Sequence, residues 1–313
     1  MSDAGRGHAA MLAFSALVAG SFALGVLAAN LLAPAALNAV RFLIAVVIIG
    51  GLCLVTGVGK RADFQAPWRY LILGGLFSAY FVLMFEGLKT APPVSAAAVF
   101  TLTPVMAGFF GWLLLRQITT RWMALALAIG AVGALWVIFR ADLSALVAFE
   151  IGRGEAIYFL GCVCHAAYTP MVAKLNRGEH PLVFTFGTLV AGTVLLGMGG
   201  APALVSTDWG ALPSIVWITI LYTAVAATAG SFALLQYATL KLPSAKVMAY
   251  TYLTPSWVIL WQIALAGEVP APVVLVGVGL TGMALLMLLR SEEQARDQGE
   301  AAAPSTGRTP ARR

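Results

Sequence analysis

The sequence predicts an all-α integral membrane protein of ten transmembrane helices in two inverted five-helix repeats, on three observations. The 313-residue chain is 60% hydrophobic and only 10% charged, with a mean hydropathy of +0.90, so it lacks the polar residues to cover a water-facing surface. Apolar runs of about 18–25 residues recur along it between charged or Pro/Gly-rich breaks. Thr103-Pro104, in Phe100-Thr-Leu-Thr-Pro, returns as Thr254-Pro255 in Tyr250-Thr-Tyr-Leu-Thr-Pro, one half-chain later and at the same place within an apolar run.

The expected spans, in order, are 9–31, 34–58, 68–89, 92–115, 121–139, 152–173, 181–200, 211–239, 243–266 and 270–289. The runs are continuously apolar, whereas barrel strands alternate over about ten residues, so helices are expected. The first run follows Arg6 and resembles a signal peptide in part, but it is too long, and its counterpart at 152–173 is internal. Register between the halves holds at an offset of about 151 around the Thr-Pro pair, where Pro92 matches Pro243, Ala98 matches Ala249 and Leu102 matches Leu253. Earlier in each half the offset is about 147, Gly5-Arg-Gly-His-Ala matching Gly152-Arg-Gly-Glu-Ala and Pro34 matching Pro181. The Gly/Pro-rich stretch Gly199 to Pro213 can hold the short insertion between the two registers. This divides the chain into residues 1–149, residues 150–290 and a tail at 291–313 whose composition without apolar periodicity predicts disorder.

An odd number of spans per half makes the second half enter the membrane from the opposite side. With the N-terminus inside, Arg6, Lys60, Arg61, Arg69, Arg116, Arg121, Lys174, Arg177, Lys241 and the tail from Arg290 are cytoplasmic. Only Lys89, Arg140 and Arg153 lie outside, so both termini are expected in the cytoplasm of a bacterial-type inner membrane. The net charge of +6 is thus an orientation signal spread over loops, with no patch for nucleic acid. Cys53, Cys162 and Cys164 fall within spans and are read as small apolar helix residues; no set at metal-ligand spacing accompanies them. No cofactor is expected. Duplication in a membrane chain points to a transporter, because repeat interfaces are where solute sites form.

Local patterns then converge on one family. Pro34-(x)6-Arg41-Phe42 opens the second span, and Glu86-Gly-Leu-Lys-Thr-Ala-Pro-Pro-Val-Ser-Ala-Ala links the third and fourth. Thr103-Pro104, Gly154-Glu-Ala, Ala166-Ala-Tyr168, Leu253-Thr-Pro255 and Gly267-Glu268 follow in order. From about Gly7 to Arg290 the chain resembles the EamA-type exporters of the drug/metabolite transporter superfamily. It departs from them at Arg116-Gln117, where the second half has Gly267-Glu268, and at His165, where such proteins often carry Trp. The resemblance implies a ten-helix bundle with a central cavity, alternating access, and export of small polar or amphipathic metabolites, amino acids and their derivatives above all.

Several residues are candidates for the mechanism. Arg41 lies about 10 Å into its span, counted from Pro34, and reads either as a clamp for a substrate carboxylate or as a helix-pinning charge bonded to backbone carbonyls. Glu86, at similar depth, is a candidate ion partner of Arg41 or a proton carrier, unless Lys89 at i+3 neutralises it. His165 reads as a substrate or proton-relay group, or as a packed, hydrogen-bonded side chain. Tyr168, a further candidate substrate contact, and Pro170 stand beside it. Pro104 and Pro255 each remove a helix hydrogen bond near mid-membrane and are candidate gating points. Tyr80, Thr101, Thr103, Tyr250, Thr254 and Trp257, with Phe100 and Tyr252, are expected to line the cavity; ordinary packing is the alternative for each. Gln236 and Gln262 suit interhelical hydrogen bonds, and Gly130, Gly133, Gly277, Gly279 and Gly282 suit close helix contacts or a dimer face.

The expected function is secondary export of an amino-acid-like metabolite by alternating access, proton-coupled or by exchange, with Glu86 the first candidate proton site and His165 the second. A facilitator or uptake carrier is the alternative; an integral-membrane enzyme is disfavoured because the sequence has no His-Glu-x-x-His, no Gly-x-Ser-x-Gly and no paired carboxylates within a span. Gly57-Val-Gly-Lys60 lacks the spacing of a phosphate-binding loop, and no filter-like repeat or charged ring marks a channel. The expected partners are a small solute and the bilayer, with the protein a monomer or homodimer.

Overall fold

A computed structural model describes residues 3–118, 120–139, 142, 144, 151–266 and 271–302, with backbone alone for Ala266 and from Arg290 onward. The chain is helical throughout: α1 (Asp3–Ala28), α2 (Pro34–Thr56), a 3-10 turn (Arg61–Phe64), α3 (Trp68–Gly87), α4 (Pro93–Phe100), α5 (Thr103–Leu115) and α6 (Arg121–Ile138). After residue 151 come α7 (Arg153–Leu175), α8 (Pro181–Ser206), α9 (Ser214–Ala224), a π-helical turn (Val225–Gly230), α10 (Ser231–Thr239), α11 (Ser244–Ala249), a 3-10 turn (Tyr250–Leu253), α12 (Thr254–Ala266) and α13 (Pro272–Ala302). Pro at or next to the first helical position starts α2, α4, α5, α8 and α13, where its missing N–H costs nothing.

Among the described residues nine helices are long and apolar enough to cross a membrane. The predicted run 243–266 is helical too, but is divided into α11, the 3-10 turn and α12. Its longest piece, 13 residues, spans about 20 Å, short of the hydrocarbon core. A second difference lies at the C-terminus, where disorder was expected from Ser291. Helix continues to Ala302, and residues 291–302 are mostly Ala, Glu, Gln and Arg, which lose little side-chain entropy in a helix. Gly267-Glu268, Arg140 and most of the 142–150 loop fall outside the described residues.

Small residues bring the helices together. α2 runs antiparallel to α8: Gly200 abuts Ala35 at one end, and Gly50 abuts Phe186 at the other. α6 runs antiparallel to α13, with Trp136 Nε1 donating to the Val273 carbonyl at 2.9 Å. A Cβ at Gly133 would sit 2.7 Å from the Gly277 carbonyl oxygen, so only glycine permits this approach. These two glycines, and Gly130 beneath Tyr252, therefore serve contacts within the chain rather than the dimer face they also suggested. α3 packs on α7 and α8, α1 on α9 and α10, and α5 on α7. Leu54, Val55, Trp112, Trp122 and Val194 are exposed on the outside of the bundle, a surface suited to acyl chains.

Candidate functional site

Helix periodicity assembles an aromatic box at the centre. Phe77, Tyr80 and Phe81 share one face of α3 at i, i+3 and i+4, and Tyr158, His165 and Tyr168 share one face of α7 at i, i+7 and i+10. Phe100 at the end of α4 and Phe232 on α10 close the box. His165 is 1% exposed and stacks on Tyr80 with ring centroids 4.4 Å apart; Phe100, Phe77 and Tyr168 lie at 5.4, 5.8 and 6.2 Å. Neither ring nitrogen of His165 has a hydrogen-bond partner among the described residues. The packed, hydrogen-bonded reading thus holds for the packing and fails for the bonding. Around it, the Tyr80 and Tyr158 hydroxyls are 3.2 Å apart and Gln236 Nε2 donates to the Tyr168 hydroxyl at 2.8 Å. Gln236 Oε1 is buried without a partner among the described residues. Pro170 lies buried inside α7 without ending it.

Arg41 sits beside this box with no exposed surface. Its guanidinium lies 3.6 Å over the Phe81 ring, which itself touches Tyr80 and Phe77 with centroids 4.7 Å away. Nη2 donates to the Ala227 carbonyl at 2.9 Å, Nε to Thr228 Oγ1, and Nη1 to Asn38 Oδ1 at 3.4 Å. The first two acceptors come from the π-helical turn, whose altered hydrogen bonding faces Ala227 and Thr228 towards α2, and the third is one turn back on α2 itself. No carboxylate among the described residues pairs with Arg41. Of the alternatives for Glu86, the pair with Arg41 does not form and the one with Lys89 does: near the end of α3, with a 40% exposed side chain, Glu86 accepts from Lys89 Nζ at 2.7 Å, as i+3 spacing allows.

The Thr-Pro sites break their helices as expected. α4 stops at Phe100 and α5 restarts at Thr103; the Phe100 carbonyl, freed because Pro104 has no N–H, accepts from Thr103 Oγ1 at 2.6 Å. In the second half the chain tightens to a 3-10 turn before Pro255. Thr103 Oγ1 lies 3.2 Å from Thr251 Oγ1, linking the two breaks. The position matched to Thr251 in the first half is Phe100, so the equivalent bond is missing, and Thr254 Oγ1 is buried without a partner among the described residues. Tyr252 Oη is likewise without a partner among them. Thr101 bonds its own helix through the Ala98 carbonyl. Tyr250 and Trp257 lie apart from the box: Tyr250 Oη is 3.0 Å from His8 Nδ1, and Trp257 Nε1 donates to Ser15 Oγ at 3.2 Å.

Sequence reasoning missed Phe77, Phe81, Tyr158 and Phe232, although the spacing on α3 and α7 signalled the first three. It also placed Arg69 among loop charges. Arg69 is 1% exposed and forms a 2.6 Å ion pair with Glu179, in the α7–α8 connection, while donating to the Leu175 and Gln65 carbonyls at 2.7 and 3.1 Å. Burial raises the Glu179 carboxyl, but hydrogen bonds from Arg69 and from the Arg177 and Glu179 backbone N–H groups outweigh it and hold the group below its ordinary value. Arg69 and Glu179 are 110 residues apart, and only the fold pairs them.

Known proteins fit this architecture. YyaM of Bacillus subtilis (strain 168), described as an uncharacterized transporter, is 29% identical over 189 residues, which is 59% of this chain and 62% of that protein. The match thus spans less than two thirds of that relative's length. A solved crystal structure superposes with a TM-score of 0.70 over 94% of this chain and 98% of its own, at 18% identity, a likeness of fold alone. Residues 5–139 and 152–290 both match the EamA-like transporter family. With two such matches covering most of a bundle of apolar helices, the chain belongs to the EamA-like transporter family.

Proposed function

We propose that this protein exports a small amphipathic metabolite bearing a carboxylate, an amino acid or a close relative, by alternating access between two pseudo-symmetric halves. The observation that carries the reading is Arg41, a wholly buried guanidinium with no carboxylate partner among the described residues. Buried charges are ordinarily paired, and a substrate carboxylate supplies the missing anion. The adjoining aromatic box suits the apolar part of such a solute. His165, Gln236 Oε1, Tyr252 Oη and Thr254 Oγ1 are the polar atoms left over for its remaining hydrogen bonds.

Helix packing supports ten spans in two inverted repeats. If 243–266 is counted as one span, α2 matches α8 and α6 matches α13, and each of these helices runs antiparallel to its own counterpart. Translation would make counterparts parallel; inversion makes them antiparallel. The remaining pairs come in matched sets: α3 with α7 answers to α1 with α9 and α10, and α5 with α7 to α12 with α1. In this arrangement the broken helices at Pro104 and Pro255 bend as access alternates. Pro104→Ala and Pro255→Ala are each expected to slow turnover more than they weaken binding. Equal binding loss at unchanged turnover would count against the gating role.

Basic-residue asymmetry supports a cytoplasmic position for both termini. A Ser144→Cys variant without Cys53, Cys162 and Cys164 should then react with an impermeant maleimide in intact cells; reaction only after permeabilisation would reverse the orientation. Coupling is read as proton-linked, with His165 the better-placed group, since Glu86 is partly exposed beside Lys89. Inside-out vesicles acidified within should accumulate labelled amino acid, and His165→Gln should abolish the pH drive while sparing counter-flow. Accumulation indifferent to both, with counter-flow intact, would make the protein an exchanger or facilitator.

A further inference from the structure

At the α2–α3 turn the bundle presents a second recess, remote from the aromatic box. It consists of two adjoining apolar grooves separated by Phe64 and Phe186, whose rings meet edge to face at 6.2 Å and 85°. One groove runs along Gly50, Cys53 and Leu54 of α2 towards Val183. The other runs along Leu71 of α3 and Val190 and Val194 of α8. Both open to the outside of the bundle: Leu54, Phe64, Leu71 and Val194 are all exposed. Gly50 has no side chain to fill the first groove, and a Cβ there would come within 2.9 Å of the Phe186 ring.

Charge stands at one end only. Gly57 (φ 63°) and Gly59 (φ 115°) adopt left-handed backbone that turns the chain sharply after α2 and lays residues 59–61 over Val183, in the first turn of α8. Lys60 and Arg61 therefore line the mouth of the first groove and remain exposed. The nearby carboxylate of Asp63 accepts from the Lys60 backbone N–H at 2.7 Å and caps the turn, and among the described residues it forms no ion pair with the Lys60 or Arg61 side chain. The N-terminal end of α8 adds its partial positive charge to the same mouth. Two adjoining apolar grooves either side of an aromatic wall, the first of them ending at a rim that carries Lys60 and Arg61, match a diacyl lipid with an anionic head.

We propose that this recess is a binding site for an anionic glycerophospholipid, with one acyl chain in each groove flanking Phe64 and Phe186 and the phosphate against Lys60 and Arg61. The occupant ties α2 to α8, counterparts in the two halves, and so contributes to the stability of the bundle. The site does not depend on the solute or direction assigned to the central box.

Native mass spectrometry and thermal melting of the purified full chain, supplied with phosphatidylglycerol or with phosphatidylcholine of the same chains, test it. Phosphatidylglycerol should be retained preferentially and raise the melting temperature. In the Lys60→Gln/Arg61→Gln variant its retention should fall on the order of ten- to thirtyfold, with phosphatidylcholine unchanged. Cys53→Trp, which fills a groove without altering charge, should lower retention of phosphatidylglycerol while sparing the melting temperature measured without added lipid. Equal retention of the two lipids by the unaltered protein would reduce the recess to ordinary annular contact and overturn the proposal, as would undiminished phosphatidylglycerol binding by the charge variant. Since the readouts are binding and melting, a failed transport assignment leaves this result unaffected.

Discussion

Replacing Arg69 by methionine is expected to destabilise the protein by about 3–5 kcal/mol, because it leaves the Glu179 carboxylate buried beside α3 with its counter-ion gone. The Leu175 carbonyl at the end of α7 also loses its donor. The effect reaches beyond one helix: Arg69 begins α3, and its partners close the turn from α7 into α8, so the pair fastens the first half of the chain to the second. Removing both charges together in Arg69→Met/Glu179→Leu should recover much of the loss, since a buried pair replaced by apolar groups of similar volume is often neutral or stabilising. Thermal unfolding in detergent measures both variants. A single variant as stable as the parent would show that the pair contributes nothing.

The same pair sets a pH dependence. Glu179 is held below its ordinary value, so the stability it contributes is fully present above the normal carboxylate range and is lost as pH falls through the lowered value. Melting temperature should therefore decline on the acid side more steeply in the parent than in Glu179→Gln, which has no proton to take up there. Identical acid limbs would assign the decline to other carboxylates.

Composition and apolar run length were enough to read a helical membrane bundle, because a bilayer admits few alternatives and helix length is fixed by its thickness. The Thr-Pro breaks were legible for an equally local reason: a proline without an N–H interrupts its own helix wherever it stands. Arg41 was legible as exceptional, since a charge that deep in an apolar run requires an explanation. Its surroundings were not. Thr228 and Ala227 reach it only through a π-helical turn 186–187 residues away, and nothing in the run of residues around Val225–Gly230 announces that register change. Glu86 misled for the complementary reason: equal depth along two helices says nothing about which faces meet, whereas Lys89 at i+3 was bound to be near. Arg69 was read from its position beside a loop, and the fold covers that loop with the α7–α8 turn.

Arg41→Met is expected to give a protein as stable as the parent, or more so, that no longer transports. The two halves of that expectation separate the readings of this residue. A methionine fills much of the arginine's volume and removes an uncompensated buried charge, so folding gains from relieved desolvation what it loses in three hydrogen bonds to Thr228, Ala227 and Asn38. Substrate binding, in contrast, loses a charge-assisted contact in a dry site, where truncating one member of a buried charged pair costs about 2–5 kcal/mol, or roughly 30-fold to several thousandfold in apparent affinity. Arg41→Lys should fall between, keeping a point charge but not the planar fork that grips a carboxylate with two hydrogen bonds. Vesicle uptake and counter-flow with the labelled amino acid, alongside melting of each variant, decide the matter. If Arg41→Met melts well below the parent, the guanidinium is a structural pin between α2 and the π-helical turn; if it melts normally and transports normally, the carboxylate of the solute is bound elsewhere.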